Sequence, residues 1–231
     1  MPLQAALGEF DRIAFMVQQA LGKMQTATLV RIESCTNAGG VSPVGYVDVT
    51  PMVNQLDGQG NPTPHVTIYN VPYFRLQGGA NGIIIDPQKG DVGVAVFASR
   101  DISQVKSTKK QGNPGSHRQY SFADGMYLGG MLNGTPTQYV QFSAAGIKIH
   151  SPTAVVIEAP VVEIDAATSC TVNTPTFTVN GATALNGPLS QGKGSAGGAC
   201  EMLGPLHVVN DVAGQGKSLH NHKHTSTTPG T

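Results

Sequence analysis

The sequence has 231 residues, of which 12% are charged, against about 25% in a typical soluble globular protein. Aromatic residues make up only 6% and tryptophan is absent, while glycine and proline number 29 and 15. Basic and acidic residues are equal in number, which argues against a general nucleic-acid binder with a basic patch. This composition predicts a β-rich, turn-rich protein that builds part of its core by self-association.

The sequence also lacks the common signals of other protein classes. The three cysteines, Cys35, Cys170 and Cys200, are odd in number and widely spaced, so they form neither a disulfide framework nor a Cys-x-x-Cys metal site. No apolar run approaches the ~20 residues of a membrane-spanning helix. No Gly-x-Ser-x-Gly, P-loop or His-Glu-x-x-His motif occurs, and we therefore expect no enzymatic activity.

Residues 1–23 are predicted to contain one amphipathic helix. Apolar side chains recur there at helical spacing. These positions are Leu7, Phe10, Ile13, Ala14, Val17 and Leu21. Such a stripe has to pack either on the chain's own barrel or on a neighbouring subunit.

The next segment, residues 24–104, changes to a period of two. Apolar and polar residues alternate over four stretches, which are 26–33, 45–53, 66–73 and 92–98. Clusters of Gly, Pro, Asn and Asp separate these stretches. Several short strands with turn residues between them predict a small β-barrel of the OB type. The following residues, 105–137, are predicted to form a linker with little regular structure.

Residues 138–212 contain a short repeat. Apolar residues occur as i, i+2 doublets every seven or eight positions, and proline or glycine falls between most doublets. The doublets are Ile147/Ile149, Val155/Ile157, Val162/Ile164, Cys170/Val172 and Phe177/Val179. One chain offers this narrow apolar surface no second layer. Three chains wound round one axis would cover it, whereas the alternative is an ordinary antiparallel meander.

The last segment, residues 213–231, carries His220, His222 and His224 at i, i+2 and i+4. In an extended chain the three imidazoles share one face. Imidazole is a good ligand for iron, nickel, zinc and copper. Two histidines from each of three chains would supply six nitrogens, which suits an octahedral ion better than the four-ligand sites of structural zinc. The alternative is a polar, histidine-rich tail without bound metal.

In this order the parts resemble the central spike proteins of contractile-tailed phages. The tip is the most specific match, with Gly-Lys-Ser-Leu at 216–219 followed by His222 and His224. The barrel segment Asp-Pro-Gln-Lys-Gly-Asp-Val-Gly at 86–93, with Phe97 and Arg-Asp-Ile at 100–102, is also similar. The likeness covers nearly the whole chain.

The resemblance implies an all-β homotrimer with an OB-fold barrel, an intertwined triple-stranded β-helix and a membrane-piercing tip. It implies one iron ion at the apex, held by His222 and His224 of three chains. His220 is in phase with them, so His220/His222 remains the other pairing. Members of the family also hold small ions along the shaft axis, but no residue here places such a site.

The resemblance further implies where the protein works. The barrel end would face a trimeric hub at the end of the tail tube, and the tip would pierce the outer membrane of the host cell. The protein would fold in the host cytoplasm and reside in the virion, at the tip of the tail baseplate. No nucleic-acid partner is expected.

Two other functions compete with this interpretation. A trimeric tail fibre or adhesin that binds a host-surface receptor would need a distal, often aromatic-rich, receptor-binding domain. An OB-type nucleic-acid-binding protein would need exposed aromatics on the barrel, for which Tyr46, Tyr69, Tyr73 and Phe74 are the candidates.

Overall fold

The structure is a computed structural model that describes residues 8–189, 202–214 and 217–218. Two compact units are found, Met1–Glu158 and Ala159–Thr231. Strand residues outnumber helical residues in the described ranges, which confirms the predicted all-β class. No helix in these ranges combines the length and apolar character needed to cross a membrane.

The chain begins with helix α1, Glu9–Leu21, inside the segment for which apolar spacing predicts a helix. Glu9 and Asp11 lie in its first turn, where negative charge interacts favourably with the helix dipole. At the other end the backbone N–H of Gly22 donates to the Gln18 carbonyl, 2.8 Å away. No residue of α1 is buried, so the apolar stripe of the helix is uncovered by its own chain.

Five strands form one sheet, and two pairs of two-residue strands lie in the loops between its strands. The strands of the sheet are β1 (Ala27–Cys35), β2 (Tyr46–Pro51), β5 (Ile68–Pro72), β8 (Val92–Phe97) and β9 (Gly125–Gly130). The short pairs are β3 (Gln55–Leu56) with β4 (Pro62–Thr63), and β6 (Gln77–Gly78) with β7 (Asn81–Gly82).

The five-stranded sheet closes on itself. Its order is β5-β2-β1-β8-β9, and every neighbouring pair is antiparallel. The two edge strands meet through a parallel bridge between Tyr73 and Tyr127. The N–H of Phe74 also donates to the Tyr127 carbonyl at 2.7 Å. Closure leaves no long unpaired edge on this sheet.

The core lies inside the closed sheet because alternate residues of each strand point inward. Burial of each valine or isoleucine contributes about 1.5–3 kcal/mol. The buried apolar residues are Val30, Ile32, Val47, Val49, Val71, Tyr73, Ala95, Phe97 and Tyr127.

The region predicted as a linker differs from that expectation. Helix α2, Ser103–Thr108, lies at its start, and a 3₁₀ turn, Phe122–Asp124, leads directly into β9. Strand β9 is the fifth strand of the closed sheet rather than part of a connection. Its sequence, GMYLGG, contains three glycines and so shows no apolar alternation, although Tyr127 is buried.

Beyond the sheet, regular structure is sparse. Strands β10 (Tyr139–Ser143) and β11 (Gly146–His150) form an antiparallel hairpin. Residues 151–189 contain no helix or strand. In the second unit, β12 (Ala213–Gly214) pairs with β13 (Lys217–Ser218). The repeat doublets after the hairpin therefore lie outside any helix or strand in the described ranges.

Candidate functional site

The most distinctive surface is the set of repeated apolar side chains after residue 138, which we call the apolar ribbon. The valine, isoleucine and phenylalanine side chains of this set are all more than half exposed, from 52% for Val179 to 76% for Phe142. The ribbon consists of Val140, Phe142, Ile147, Ile149, Val155, Ile157, Val162, Ile164, Cys170, Val172, Phe177 and Val179. A monomer that left all of them in water would forgo about 1.5–3 kcal/mol for each large side chain.

The ribbon begins on one face of the β10–β11 hairpin. Val140 lies opposite Ile149, and Phe142 lies opposite Ile147, so four apolar side chains share a face. Ser143 pairs with Gly146, which has a φ of 114° and closes the turn. A single hairpin is at best marginally stable in water, so this face needs a partner layer.

The other face of the hairpin is polar and organised by its own contacts. The rings of Tyr139 and His150, which are opposite each other, have centroids 5.1 Å apart. The ammonium of Lys148 lies 5.8 Å from the Tyr139 ring centroid, within cation–π range. The hairpin thus has one face suited to water and one suited to burial.

A buried ion pair that no sequence pattern predicts joins loops of the closed sheet. Arg75 Nη2 lies 2.5 Å from Asp86 Oδ1, and the Tyr73 hydroxyl donates to the same oxygen at 2.6 Å. Asp86 also accepts from the N–H of Gly39, and Arg75 donates to the carbonyl of Ser42. These bonds fasten the loop between β1 and β2 to the segment after β5.

The electrostatics of this pair follow from its contacts. Burial acts to raise the pKa of Asp86, but the hydrogen bonds from Tyr73 and Arg75 outweigh it and lower that pKa. Burial and the same carboxylate raise the pKa of Tyr73. The Nε of Arg75 is buried without a hydrogen-bond partner in the described ranges, so the desolvation of its guanidinium is only partly offset.

A second ionic cluster joins the segment after β8 to the start of β9. Arg118 Nε donates to Asp124 Oδ2 at 2.8 Å, and its Nη2 lies 2.9 Å from Asp101 Oδ1. The Ser103 and Ser116 hydroxyls and the Arg118 charge lower the pKa of Asp101 to about 2. Both carboxylates are almost fully buried. They are paired with arginine, which favours a role in fixing the loops.

The predicted metal ligands His222 and His224, and the alternative His220, lie outside the described residues. Within the described ranges, no group of three or more His, Cys, Asp or Glu side chains is arranged to hold a metal ion. Cys35 and Cys170 are free thiols, and Cys200 is also outside these ranges.

The four aromatics considered for nucleic-acid binding do not form one exposed group. Tyr73 is 4% exposed and its hydroxyl is engaged by Asp86. Tyr46 is half-buried, whereas Tyr69 and Phe74 are 66% and 59% exposed. Buried Tyr73 offers no ring face to a base, which weakens the nucleic-acid alternative.

The sequence predicts some of these features and not others. The ribbon is visible as a repeat of doublets, but the two ionic clusters are not, since Arg75 is 11 residues from Asp86 and Arg118 is 6 residues from Asp124. Only Asp86 and Asp101 of these clusters lie in segments that resemble the phage spike family, and that resemblance does not indicate their ion pairs. Comparison with known proteins adds nothing to these signals, because no protein-family model and no curated protein matches the chain.

Proposed function

We propose that this protein is the central spike of a contractile phage tail, a homotrimer that pierces the outer membrane of the host cell. Its role is mechanical rather than catalytic. Sheath contraction supplies the work, and the spike stays folded under load while it presents a narrow point. In this proposal the barrel end attaches to a trimeric hub of the tail tube, within the virion.

The single observation that carries the proposal is the exposure of the apolar ribbon. Ile157, Ile164 and Phe177, each from a different doublet, are 73% exposed in the isolated chain. Soluble monomers rarely leave so many apolar side chains exposed at such regular spacing in the sequence. Winding three copies into a triple-stranded β-helix would bury the doublets and give the backbone of this segment hydrogen-bond partners.

The order of the closed sheet supports an OB-type barrel at the other end. Five strands, antiparallel throughout except where β5 and β9 meet, form a small closed sheet. The OB fold is likewise a small five-stranded barrel, so this strand count and pairing support an OB-type barrel. The two ionic clusters would keep it rigid under load.

The proposed tip holds one iron ion per trimer, coordinated by His222 and His224 of the three chains. The support is chemical, since six imidazoles from three chains match an octahedral ion. A metal bond would tie together three chain ends, where fraying would otherwise start.

Native mass spectrometry combined with elemental analysis of the purified protein tests the proposal. The expected result is three chains and one iron ion per particle. A folded monomer in dilute solution would refute the spike, because a single chain cannot cover the ribbon. A trimer without metal that binds immobilised host-surface glycans would instead favour the adhesin.

A further inference from the structure

An open cleft lies between the closed sheet and helix α2. Its volume is about 620 Å³, within the usual range of about 300–1,000 Å³ for binding pockets. Apolar side chains line much of it, among them Phe74, Val105 and Met126. Phe74 and Val105 are 59% and 47% exposed, so the cleft is apolar and uncovered.

Two lysines give the cleft its charge. Lys106 and Lys109, from α2 and its end, lie at its wall, and neither forms an ion pair in the described part of the chain. The third cation there, Arg75, is already neutralised by Asp86. Burial lowers the pKa of Lys106 by more than the charges of Asp124 and Asp101 raise it, so a further acidic group beside Lys106 would favour its charged form.

Helix α1 carries the complementary features. Phe10 is 82% exposed at the head of a stripe that continues through Ile13 and Val17, which are 52% and 51% exposed. Glu9 and Asp11 flank Phe10 in the sequence and lie on either side of this stripe. An apolar stripe headed by two carboxylates matches an apolar cleft with two unpaired lysines.

The helix does not fill this cleft in its own chain. No residue of α1 lines it, and the C-terminal half of α1 borders a different cleft, near Tyr120 and Phe122. We propose that α1 of one copy docks into the Lys106/Lys109 cleft of the next copy, with Phe10 against Val105 and the two carboxylates beside the lysines. The inference rests on the proposed homotrimer, in which three such head-to-tail contacts close a ring.

Disulfide trapping in the full-length protein tests the contact. The double variant Phe10→Cys/Val105→Cys, oxidised and run without reductant, is expected to give covalent dimers and trimers. Each single variant serves as the control for the native thiols and is expected to remain at monomer mass. A double variant that stays uncross-linked, or cross-links within one chain, overturns the inference.

Charge reversal provides a second, independent readout. Asp11→Lys in the double-cysteine background is expected to reduce the cross-linked fraction severalfold, and Lys106→Glu added to it is expected to restore it. No recovery in the combined variant counts against the proposal. Native mass of each variant separates two failures: an intact trimer without the cross-link refutes only the helix contact, as hub binding by α1 would, whereas a monomer refutes the proposed function itself.

Discussion

At the scale of single residues, Gly93 marks the closest approach between β8 and β9. A Cβ at this position would collide with the Gly129 carbonyl and with the ring and hydroxyl of Tyr127. The Gly129 carbonyl belongs to a backbone that pairs with β8, so it cannot retreat without opening the sheet. Glycine is thus required here by space and not by backbone conformation.

Gly93→Ala is therefore expected to destabilise the protein by about 1–3 kcal/mol, the usual cost of overpacking a well-packed interior. Thermal or urea unfolding of the full-length chain measures it. The matched control is Gly58→Ala, since a Cβ on Gly58 meets nothing within 4 Å. That change is expected to stay within about 0.5 kcal/mol. Equal effects of the two substitutions would contradict the assigned close approach.

The lowered pKa of Asp101 predicts the direction in which the stability of the protein changes at acid pH. Its pKa is about 2 in the folded protein, whereas an unfolded chain gives about 3.9. Between these values the unfolded chain binds more protons, so the stabilisation from this carboxylate is complete above pH ~4 and is lost as the pH falls towards ~2. Asp101→Asn is expected to flatten that part of the pH dependence of the melting temperature. A carboxyl titration midpoint near 4 for Asp101, measured by NMR, would contradict the argument.

At the scale of elements, the β10–β11 hairpin separates an apolar from a polar face by register alone. Ile147 lies on the apolar face opposite Phe142, and Gln141 lies on the other face opposite Lys148. Replacing a residue on one face or the other therefore tests burial of the apolar face without changing the hairpin turn.

Ile147→Asp is expected to weaken trimer formation by about tenfold or more per chain, because a side chain worth about 1.5–3 kcal/mol is replaced by a charge that resists burial. Gln141→Asp, on the polar face, is expected to leave assembly unchanged. Light scattering after size-exclusion chromatography over a dilution series measures both. Equal dissociation of the two variants would show that the apolar face is not the assembly surface.

The elements differ in how well the sequence predicts them, for physical reasons. β1, β2 and β8 bury alternate residues, so alternation reveals them. β5 buries only Val71 among its five residues, although the alternating stretch 66–73 contains it. β9 is hidden because glycines at three of its six positions leave few side chains to alternate.

Long-range partners were beyond prediction for a different reason. The Arg75–Asp86 pair forms because two loops lie close together in the folded chain, and no local sequence pattern predicts that contact. The repeat doublets, in contrast, are visible in the sequence because they recur at regular spacing. The identity of the layer that covers them, and the ligands at the tip, stay predictions.

At the scale of the whole molecule, the proposed trimer and the proposed metal site can be tested separately. His222→Ala/His224→Ala is expected to abolish bound metal and leave the ribbon-driven trimer intact, because the ribbon lies before the tip in the sequence. Elemental analysis and native mass measure the two properties together. His117→Ala, an exposed histidine far from the tip in sequence, is the control and is expected to keep the metal.

The register of the tip is tested by the remaining histidine. His220→Ala is expected to retain the metal if His222 and His224 are the ligands. Loss of metal in this variant would assign the pair His220/His222 instead. Full metal occupancy in the His222→Ala/His224→Ala variant would refute both pairs.

The buried core inside the closed sheet has a consequence for the order of folding. One chain contains that core within itself, whereas the ribbon is exposed in the isolated chain and would be buried only in the proposed trimer. Refolding should therefore show an early phase whose rate is independent of protein concentration. A later phase should follow, whose rate increases with protein concentration. During synthesis, the first half of the chain can fold alone, whereas the rest would fold only after other copies associate with it.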